Sequence, residues 1–219
     1  MTVRGARSST LVAALVAVLV SSGLFHSGGG SAALCAPLKA VQLIEEGWSV
    51  RKVGDEDWIP ATVPGCVHTD LLRAGLIEPP FYGCNEKDLQ WIEDCDWEYR
   101  KTVLVTGMKD DDRVCELVFE GIDTYSDVYL NDSLIVSTDN MFREWRADCT
   151  ALLRDGANVL RVLIRSAPRH EREEASTLPY ELPGGSRVFT RKAAYHYGWD
   201  WGPRFVTAGI WRPVSIEVW

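Results

Sequence analysis

The chain is poor in the residues that metal centres and nucleic-acid surfaces use. It has four histidines and no pair of cysteines separated by two residues, so we predict no structural zinc site, no other metal and no cofactor. The formal net charge of −8 at pH 7 offers no basic surface for a phosphate backbone, so nucleic acid is not an expected partner. The sequence also lacks an internal repeat, which argues against repeat architectures.

The chain also lacks an apolar run of the length that a transmembrane helix needs. The uninterrupted run Leu11–Val20 is shorter than the about 20 residues required to cross a bilayer. Arg4 and Arg7 precede this run and the small residues 31–33 follow it, which is typical of a secretory signal peptide. We therefore predict a cleaved signal peptide at residues 1–34, entry into the secretory pathway and no membrane anchor.

The remaining residues, 35–219, are enough for one domain with a substantial core. They contain all six cysteines of the chain. Because an oxidising compartment favours disulfides, we expect at least one, although the pairing cannot be derived from the sequence. Cys84 and Cys95 are the first pair to consider, since they are closest in sequence within a region that resembles a loop.

Short runs of β-branched and aromatic residues dominate this domain. Six runs have strand length, and they are Tyr99–Thr106, Arg113–Phe119, Asp127–Leu130, Leu134–Ser137, Asn158–Arg165 and Pro213–Trp219. Only Val67–Ala74 predicts a helix, with Gly75 as its stop, and residues 166–186 are expected to be irregular because of their prolines and glycines. We therefore predict an all-β fold, a jelly-roll β-sandwich with one short helix.

Asn131 begins the tripeptide Asn-Asp-Ser, which is a sequon for N-glycosylation. The tripeptide separates two apolar runs and therefore fits the tip of a hairpin. We predict that Asn131 is exposed there and is a glycosylation site.

The segment Trp199–Pro203 places two indoles on either side of one carboxylate. In an extended segment Trp199 and Trp201 would share one face while Asp200 points to the other. An ionised carboxylate accepts hydrogen bonds from adjacent hydroxyls, and an indole covers the apolar face of a pyranose, so these three residues form a candidate sugar-binding site. Core packing of the tryptophans and simple turn chemistry for the aspartate are the alternatives.

Several sequence blocks carry a resemblance to a known family. They are Ala61–His68, Gly75–Ile77 with Pro79–Tyr82, Trp91–Ile92, Trp97–Tyr99, Phe119–Thr124, Thr138–Phe142, Tyr197–Pro203 and Gly209–Trp211. In combination they resemble the N-terminal domain of the β-mannosidases, which are family 2 glycoside hydrolases. The resemblance covers nearly all of residues 35–219.

This resemblance implies a galactose-binding-like jelly roll beside a catalytic barrel, with an immunoglobulin-like domain between them. Two glutamates of the barrel would act as acid/base and nucleophile in a retaining reaction, and they would lie about 5 Å apart. The barrel and the immunoglobulin-like domain are absent from this chain, so no catalytic residue is assigned here. The resemblance also favours lysosomal delivery, with plain secretion as the alternative.

The resemblance further implies roles for particular residues. Asp200 would bind hydroxyls of a terminal β-mannoside, flanked by Trp199 and Trp201, and Asn140 would provide a second contact. The sequence is thus expected to be a domain or fragment of a β-mannosidase that partners the barrel of the same polypeptide. The alternatives are a free-standing lectin-like module without catalysis and a truncated product that binds nothing well.

Overall fold

The structure, a computed structural model, describes residues 40–106 and 113–219. Within these residues the strands are β1 (Ala40–Leu43), β2 (Trp48–Lys52), β3 (Ile59–Ala61), β4 (Trp97–Val105), β5 (Cys115–Phe119), β6 (Ile122–Asp123), β7 (Tyr125–Leu130), β8 (Ser133–Thr138), β9 (Trp145–Asp148), β10 (Gly156–Arg165), β11 (Gly209–Ile210) and β12 (Val214–Val218). The helices are α1 (Val67–Arg73), α2 (Asn85–Asp88) and α3 (Ala167–Ser176). Short 3₁₀ helices cover Gln90–Asp94, Ser186–Phe189 and Ala194–Tyr197.

Two antiparallel sheets form most of the described fold. The larger sheet has the strand order β3-β2-β4-β10-β7-β8, and the smaller one has the order β1-β12-β5-β9. A third pairing joins the two-residue strands β6 and β11. The described fold is thus mostly β-sheet, and all six strands predicted from the sequence are confirmed, whereas the jelly-roll connectivity stays a prediction.

One apolar core lies between the inner faces of the two sheets. The larger sheet contributes Trp48 and Tyr99, the smaller sheet contributes Phe119 and Ile216, and all of them are buried. In β2 the buried Trp48 and Val50 alternate with the more exposed Ser49, because successive side chains of a strand point to opposite faces. The two sheets therefore pack on each other as a sandwich.

The prediction of one short helix is wrong, because the described residues contain three α-helices. The predicted helix at Val67–Ala74 is confirmed as α1, but α3 lies in the stretch 166–186 that was expected to be irregular. The Ser166 side chain caps α3 by accepting a hydrogen bond from the Arg169 N–H at 3.1 Å. Pro168 lies in the first turn of α3, where no N–H partner is needed, so this proline marks a helix start and not a break.

The cysteines of the described residues do not form the expected disulfide. Cys66, Cys84, Cys95, Cys115 and Cys149 are all free thiols. Cys84 is exposed directly before α2, whereas the Cys95 thiol donates to the Trp91 carbonyl at 3.3 Å. The helical structure between the two cysteines gives each thiol a separate environment. Cys35 and the signal peptide predicted at 1–34 lie outside the described residues.

Asn131 lies at the predicted hairpin turn, between β7 and β8, but the prediction that it is exposed there is wrong, because it is partly buried and its amide is engaged within the fold. The Nδ2 group donates to the Leu152 carbonyl and to Asn158 Oδ1, both at 2.9 Å, and Oδ1 accepts from the Val159 N–H at 3.0 Å. A glycan on Nδ2 would replace one of its two hydrogens and therefore remove one of the two donated bonds. Glycosylation of Asn131 stays a prediction.

No helix among residues 40–106 and 113–219 is long and apolar enough to cross a membrane.

Candidate functional site

The segment Trp199–Pro203 folds as a tight turn. The Trp199 N–H donates to the Gly202 carbonyl at 3.0 Å, and the Gly202 N–H donates to the Trp199 carbonyl at 3.1 Å. These two bonds close the backbone and leave Asp200 and Trp201 at the apex. The expected extended conformation, with both indoles on one face and Asp200 on the other, is therefore wrong.

Both indoles of this turn face solvent. The side chain of Trp199 is 61% exposed and that of Trp201 is 84% exposed. Their ring centroids lie 5.9 Å apart with an angle of 70° between the planes, which is an edge-to-face pair. These exposures exclude the alternative in which the two tryptophans fill the core.

A cavity of about 500 Å³ lies against the turn, and we call it the turn cavity. It is lined by Pro80, Phe81, Gly83, Glu86, Trp199, Asp200, Trp201, Gly202 and Pro203. Within the described part of the chain, the exposed Asp200 carboxylate has no hydrogen-bond or ion-pair partner. An unpaired carboxylate beside exposed aromatic rings can accept hydrogen bonds from sugar hydroxyls while the rings cover apolar C–H groups.

Arg204 anchors the turn to the segment that carries the opposite wall of the cavity. The Glu86 carboxylate accepts from the Arg204 N–H at 2.6 Å, and Gln90 Nε2 donates to the Arg204 carbonyl at 3.0 Å. The Arg204 guanidinium donates to Glu93 Oε1 at 2.6 Å and lies 5.3 Å from the ring centroid of Tyr197. The backbone that follows Asp200 is therefore fixed by the contacts of Arg204 with Glu86, Gln90 and Glu93, which limits the conformational freedom of the turn.

A buried ion pair and its hydrogen bonds connect the two ends of the segment that carries the turn. The side chains of Lys192 and Asp123 are 0% and 3% exposed, and the Lys192 ammonium donates to Asp123 Oδ1. Lys192 also donates to the Thr207 carbonyl at 2.6 Å, and the Thr207 hydroxyl donates to Asp123 Oδ2 at 2.9 Å. Asp123 belongs to β6, so this pair connects β6 with the backbone on both sides of the turn.

The charges around this pair shift several pKa values. Burial lowers the pKa of Lys192, and attraction to Asp123 opposes that shift. Burial, followed by repulsion from Lys192, lowers the pKa of His68 and of His196 to about 4. Burial raises the pKa of Asp70 to about 6, although the Thr62 N–H and Arg73 favour its ionised form. The two imidazoles are therefore neutral at pH 7.

These shifts predict that acidification destabilises the fold. The pKa values of His68 and His196 are near 6.5 in the unfolded chain and near 4 in the folded chain. Between these two values the unfolded chain binds more protons, so the free energy of unfolding decreases as the pH is lowered. Asp70 acts in the opposite direction between 3.8 and about 6, because the folded chain then binds its proton more tightly. With two groups against one, we expect the free energy of unfolding to be about 2 kcal/mol lower at pH 5 than at pH 7.

Urea denaturation at several pH values between 7 and 4.5 measures this dependence. The Asp70→Asn variant is the matched control, since removing the opposing carboxylate should make the loss on acidification steeper. A midpoint that stays constant or rises as the pH falls from 7 to 5 would contradict the assignment of buried neutral imidazoles.

The structure brings three of the predicted substrate-binding residues together and leaves the fourth outside the turn cavity. Trp199, Asp200 and Trp201 line this cavity, whereas Asn140 does not. Asn140 pairs with Arg191 as an isolated bridge, and its Oδ1 accepts from the Phe142 N–H at 2.9 Å. A sugar contact by Asn140 stays a prediction.

Sequence reasoning missed the residues that complete the site, namely Phe81, Glu86 and Arg204. Phe81 lies in the block Pro79–Tyr82 that carries the resemblance, and its exposure of 81% marks it as a wall of the cavity. Glu86 and Arg204 are 118 positions apart in the sequence, and no local pattern links them. Among the described residues, no group of three or more His, Cys, Asp and Glu side chains could hold a metal ion.

Comparisons with known proteins agree with this fold. Residues 48–212 match the family described as glycosyl hydrolase 2 galactose-binding domain-like, and the chain belongs to this family. Among curated proteins it is similar to β-mannosidase B of Aspergillus terreus, with 38% identity over 187 residues, and to β-mannosidase B of Thermothelomyces thermophilus, with 35% identity over 183 residues. These matches cover 81% and 80% of this chain but only 22% and 21% of the relatives.

Solved structures give the same result. The β-D-mannosidase of Dictyoglomus thermophilum matches 82% of this chain and 23% of its own chain, with a TM-score of 0.79 and 44% sequence identity. The exo-chitosanase CsxA of Amycolatopsis orientalis matches 81% of this chain and 20% of its own, with a TM-score of 0.60 and 20% identity, which shows a shared fold only. The chain thus spans less than a quarter of these proteins.

Proposed function

We propose that this chain is the substrate-recognition domain of a retaining glycoside hydrolase that removes terminal β-linked mannose. The support is the similarity to proteins named β-mannosidase, which reaches 44% identity with the Dictyoglomus enzyme. Retaining glycosidases use a pair of carboxylates that flank the scissile bond. We propose that both belong to a barrel domain outside this chain, because the chain spans less than a quarter of the similar β-mannosidases.

Asp200 is the residue that carries this proposal. It lies at the apex of a turn, exposed and without a partner among the described residues, beside Trp199, Trp201 and Phe81. Its carboxylate can accept from two neighbouring hydroxyls of a mannose, and each charge-assisted hydrogen bond contributes about 1.5–3 kcal/mol. Hydrogen bonds that become stronger as the sugar distorts towards the transition state lower the activation barrier, in addition to stabilising the bound substrate.

The test is the kinetics of Asp200→Ala in a complete enzyme that contains this domain. We expect kcat/KM on a β-mannoside to fall about a hundredfold, which corresponds to about 2.7 kcal/mol of transition-state stabilisation. A decrease in kcat would show that the bond is stronger in the transition state than in the bound substrate.

Asp57→Ala is the matched control, because Asp57 is also an exposed carboxylate but does not line the turn cavity. Its kinetics are expected to equal those of the unmodified enzyme. Unchanged kcat/KM in the Asp200→Ala enzyme would reject the proposed role of the turn.

A further inference from the structure

A second cavity, of about 470 Å³, lies at the other end of the segment that carries the turn, and we call it the basal cavity. The residues that decide its chemistry are Arg73, Asp123, Tyr195, His196, Thr207 and Trp211. Its volume is within the range of pockets that hold small ligands. Neither Trp199 nor Asp200 lines it, so it is separate from the turn cavity.

Part of the lining of the basal cavity is polar and held rigidly, and we call this part, which consists of Asp123, Thr207 and His196, the floor. Asp123 Oδ2 accepts from the Thr207 hydroxyl at 2.9 Å, and the same carboxylate pairs with the buried Lys192 ammonium. His196 Nδ1 lies 3.9 Å from Asp123 Oδ2 and has no hydrogen-bond partner among the described residues. The His196 imidazole lines the cavity, and a ligand hydroxyl, which both donates and accepts, suits this ring in either tautomer.

The formal charges around this floor cancel. Lys192 neutralises Asp123, and the Arg73 guanidinium donates to Asp70 Oδ1 at 3.1 Å. The buried imidazole of His196, whose pKa is lowered to about 4, adds no charge at pH 7. The residues that line the cavity therefore carry no net formal charge, which suits an uncharged hydroxylated ligand better than a phosphate or an amine.

Aromatic rings form a further part of the lining of the basal cavity. The Trp211 indole is fixed because its Nε1 donates to the Met141 carbonyl at 3.0 Å. Gly121 makes room for it, since a Cβ there would lie 2.6 Å from Trp211 Nε1. Tyr195 is 74% exposed and stands at the rim, with its ring centroid 4.7 Å from that of His196. Such rings cover the apolar C–H face of a pyranose.

We propose that the basal cavity is a second binding site, which takes one neutral hexopyranose unit. The His196 imidazole binds its hydroxyls, with the buried Asp123 carboxylate as a rigid support behind the ring, and Trp211 and Tyr195 pack against its apolar face. This inference needs only binding by this chain and does not depend on the activity proposed above.

The experiment is an NMR titration of the ¹⁵N-labelled 219-residue chain with methyl β-D-mannopyranoside and, separately, methyl β-D-glucopyranoside. The signals observed are the indole N–H resonances, with those of Trp199, Trp201 and Trp211 assigned by tryptophan-to-phenylalanine variants. We expect a saturable shift of the Trp211 resonance with at least one of the two glycosides, with a Kd on the order of millimolar.

Three variants locate the binding. Tyr195→Ala should weaken the Trp211 response about tenfold or more, whereas Tyr180→Ala, which removes another exposed tyrosine elsewhere, should leave it unchanged. Trp201→Ala should also leave it unchanged, because Trp201 lines only the turn cavity.

The proposal is overturned if no Trp211 shift occurs up to about 100 mM glycoside, a concentration far above a millimolar Kd. It is also overturned if the shifts are confined to Trp199 and Trp201, or if Tyr195→Ala binds as well as the unmodified chain. None of these results bears on the kinetics of Asp200→Ala, so the failure of this proposal and the failure of the proposed function are distinguishable.

Discussion

Replacing Lys192 by methionine is expected to lower the free energy of unfolding by about 3–5 kcal/mol. Methionine has a similar length but no charge, so the Asp123 carboxylate, 3% exposed, would lose its ion-pair partner while remaining buried. The hydrogen bond from Lys192 to the Thr207 carbonyl would be lost as well. Urea denaturation of the variant and the unmodified chain at pH 7 measures the difference.

Two controls separate this effect from the general cost of removing a lysine. Lys87→Met changes an exposed lysine of α2 and is expected to alter stability by less than about 0.5 kcal/mol. The double variant Asp123→Asn with Lys192→Met should be more stable than Lys192→Met alone, since no unpaired buried charge remains. A loss below about 1 kcal/mol for Lys192→Met would mean that Asp123 is not held by this ion pair.

The strands that the sequence predicts are those whose two faces differ. β10 and β12 each carry alternating apolar residues because one face packs on the core, and both were predicted to within two residues. β6 and β11 have two residues each, and they exist because Ile122 pairs with Ile210 across the fold. A local pattern does not contain that pairing, so the sequence alone could not reveal these strands.

The candidate site also contains residues that the sequence could reveal and residues that it could not. Trp199, Asp200 and Trp201 are adjacent in the sequence, so their chemistry could be recognised before their conformation was known. Their supports could not be recognised, because Arg204 reaches Glu86 and Glu93 over more than a hundred positions and Lys192 reaches Asp123 over 69. The sequence therefore indicates the candidate binding groups, whereas only the fold shows what holds them in place.

Gly209→Ala is the second substitution with a large expected effect, because a methyl group at this position meets backbone atoms. A Cβ on Gly209 would lie 2.6 Å from the Gly65 carbonyl oxygen and 2.7 Å from the Cys66 Cα. Neither atom belongs to a flexible side chain, so the backbone itself would have to shift. We expect a loss of about 3 kcal/mol or more in the free energy of unfolding.

The hydrogen bonds around Gly209 show why this close approach is needed. The Gly65 N–H donates to the Ile210 carbonyl at 2.8 Å, and the Val67 N–H donates to the Ala208 carbonyl at 2.9 Å. These bonds draw the start of α1 onto β11, so hydrogen exchange of the Gly65 and Val67 amides should accelerate in the variant. Gly202→Ala is the matched control, because the nearest heavy atoms to its Cβ lie 3.9 Å away and its stability should change by less than about 0.5 kcal/mol. If Gly209→Ala were as stable as Gly202→Ala, the start of α1 would have to be free to move away from β11, and the walls of the basal cavity would not be fixed.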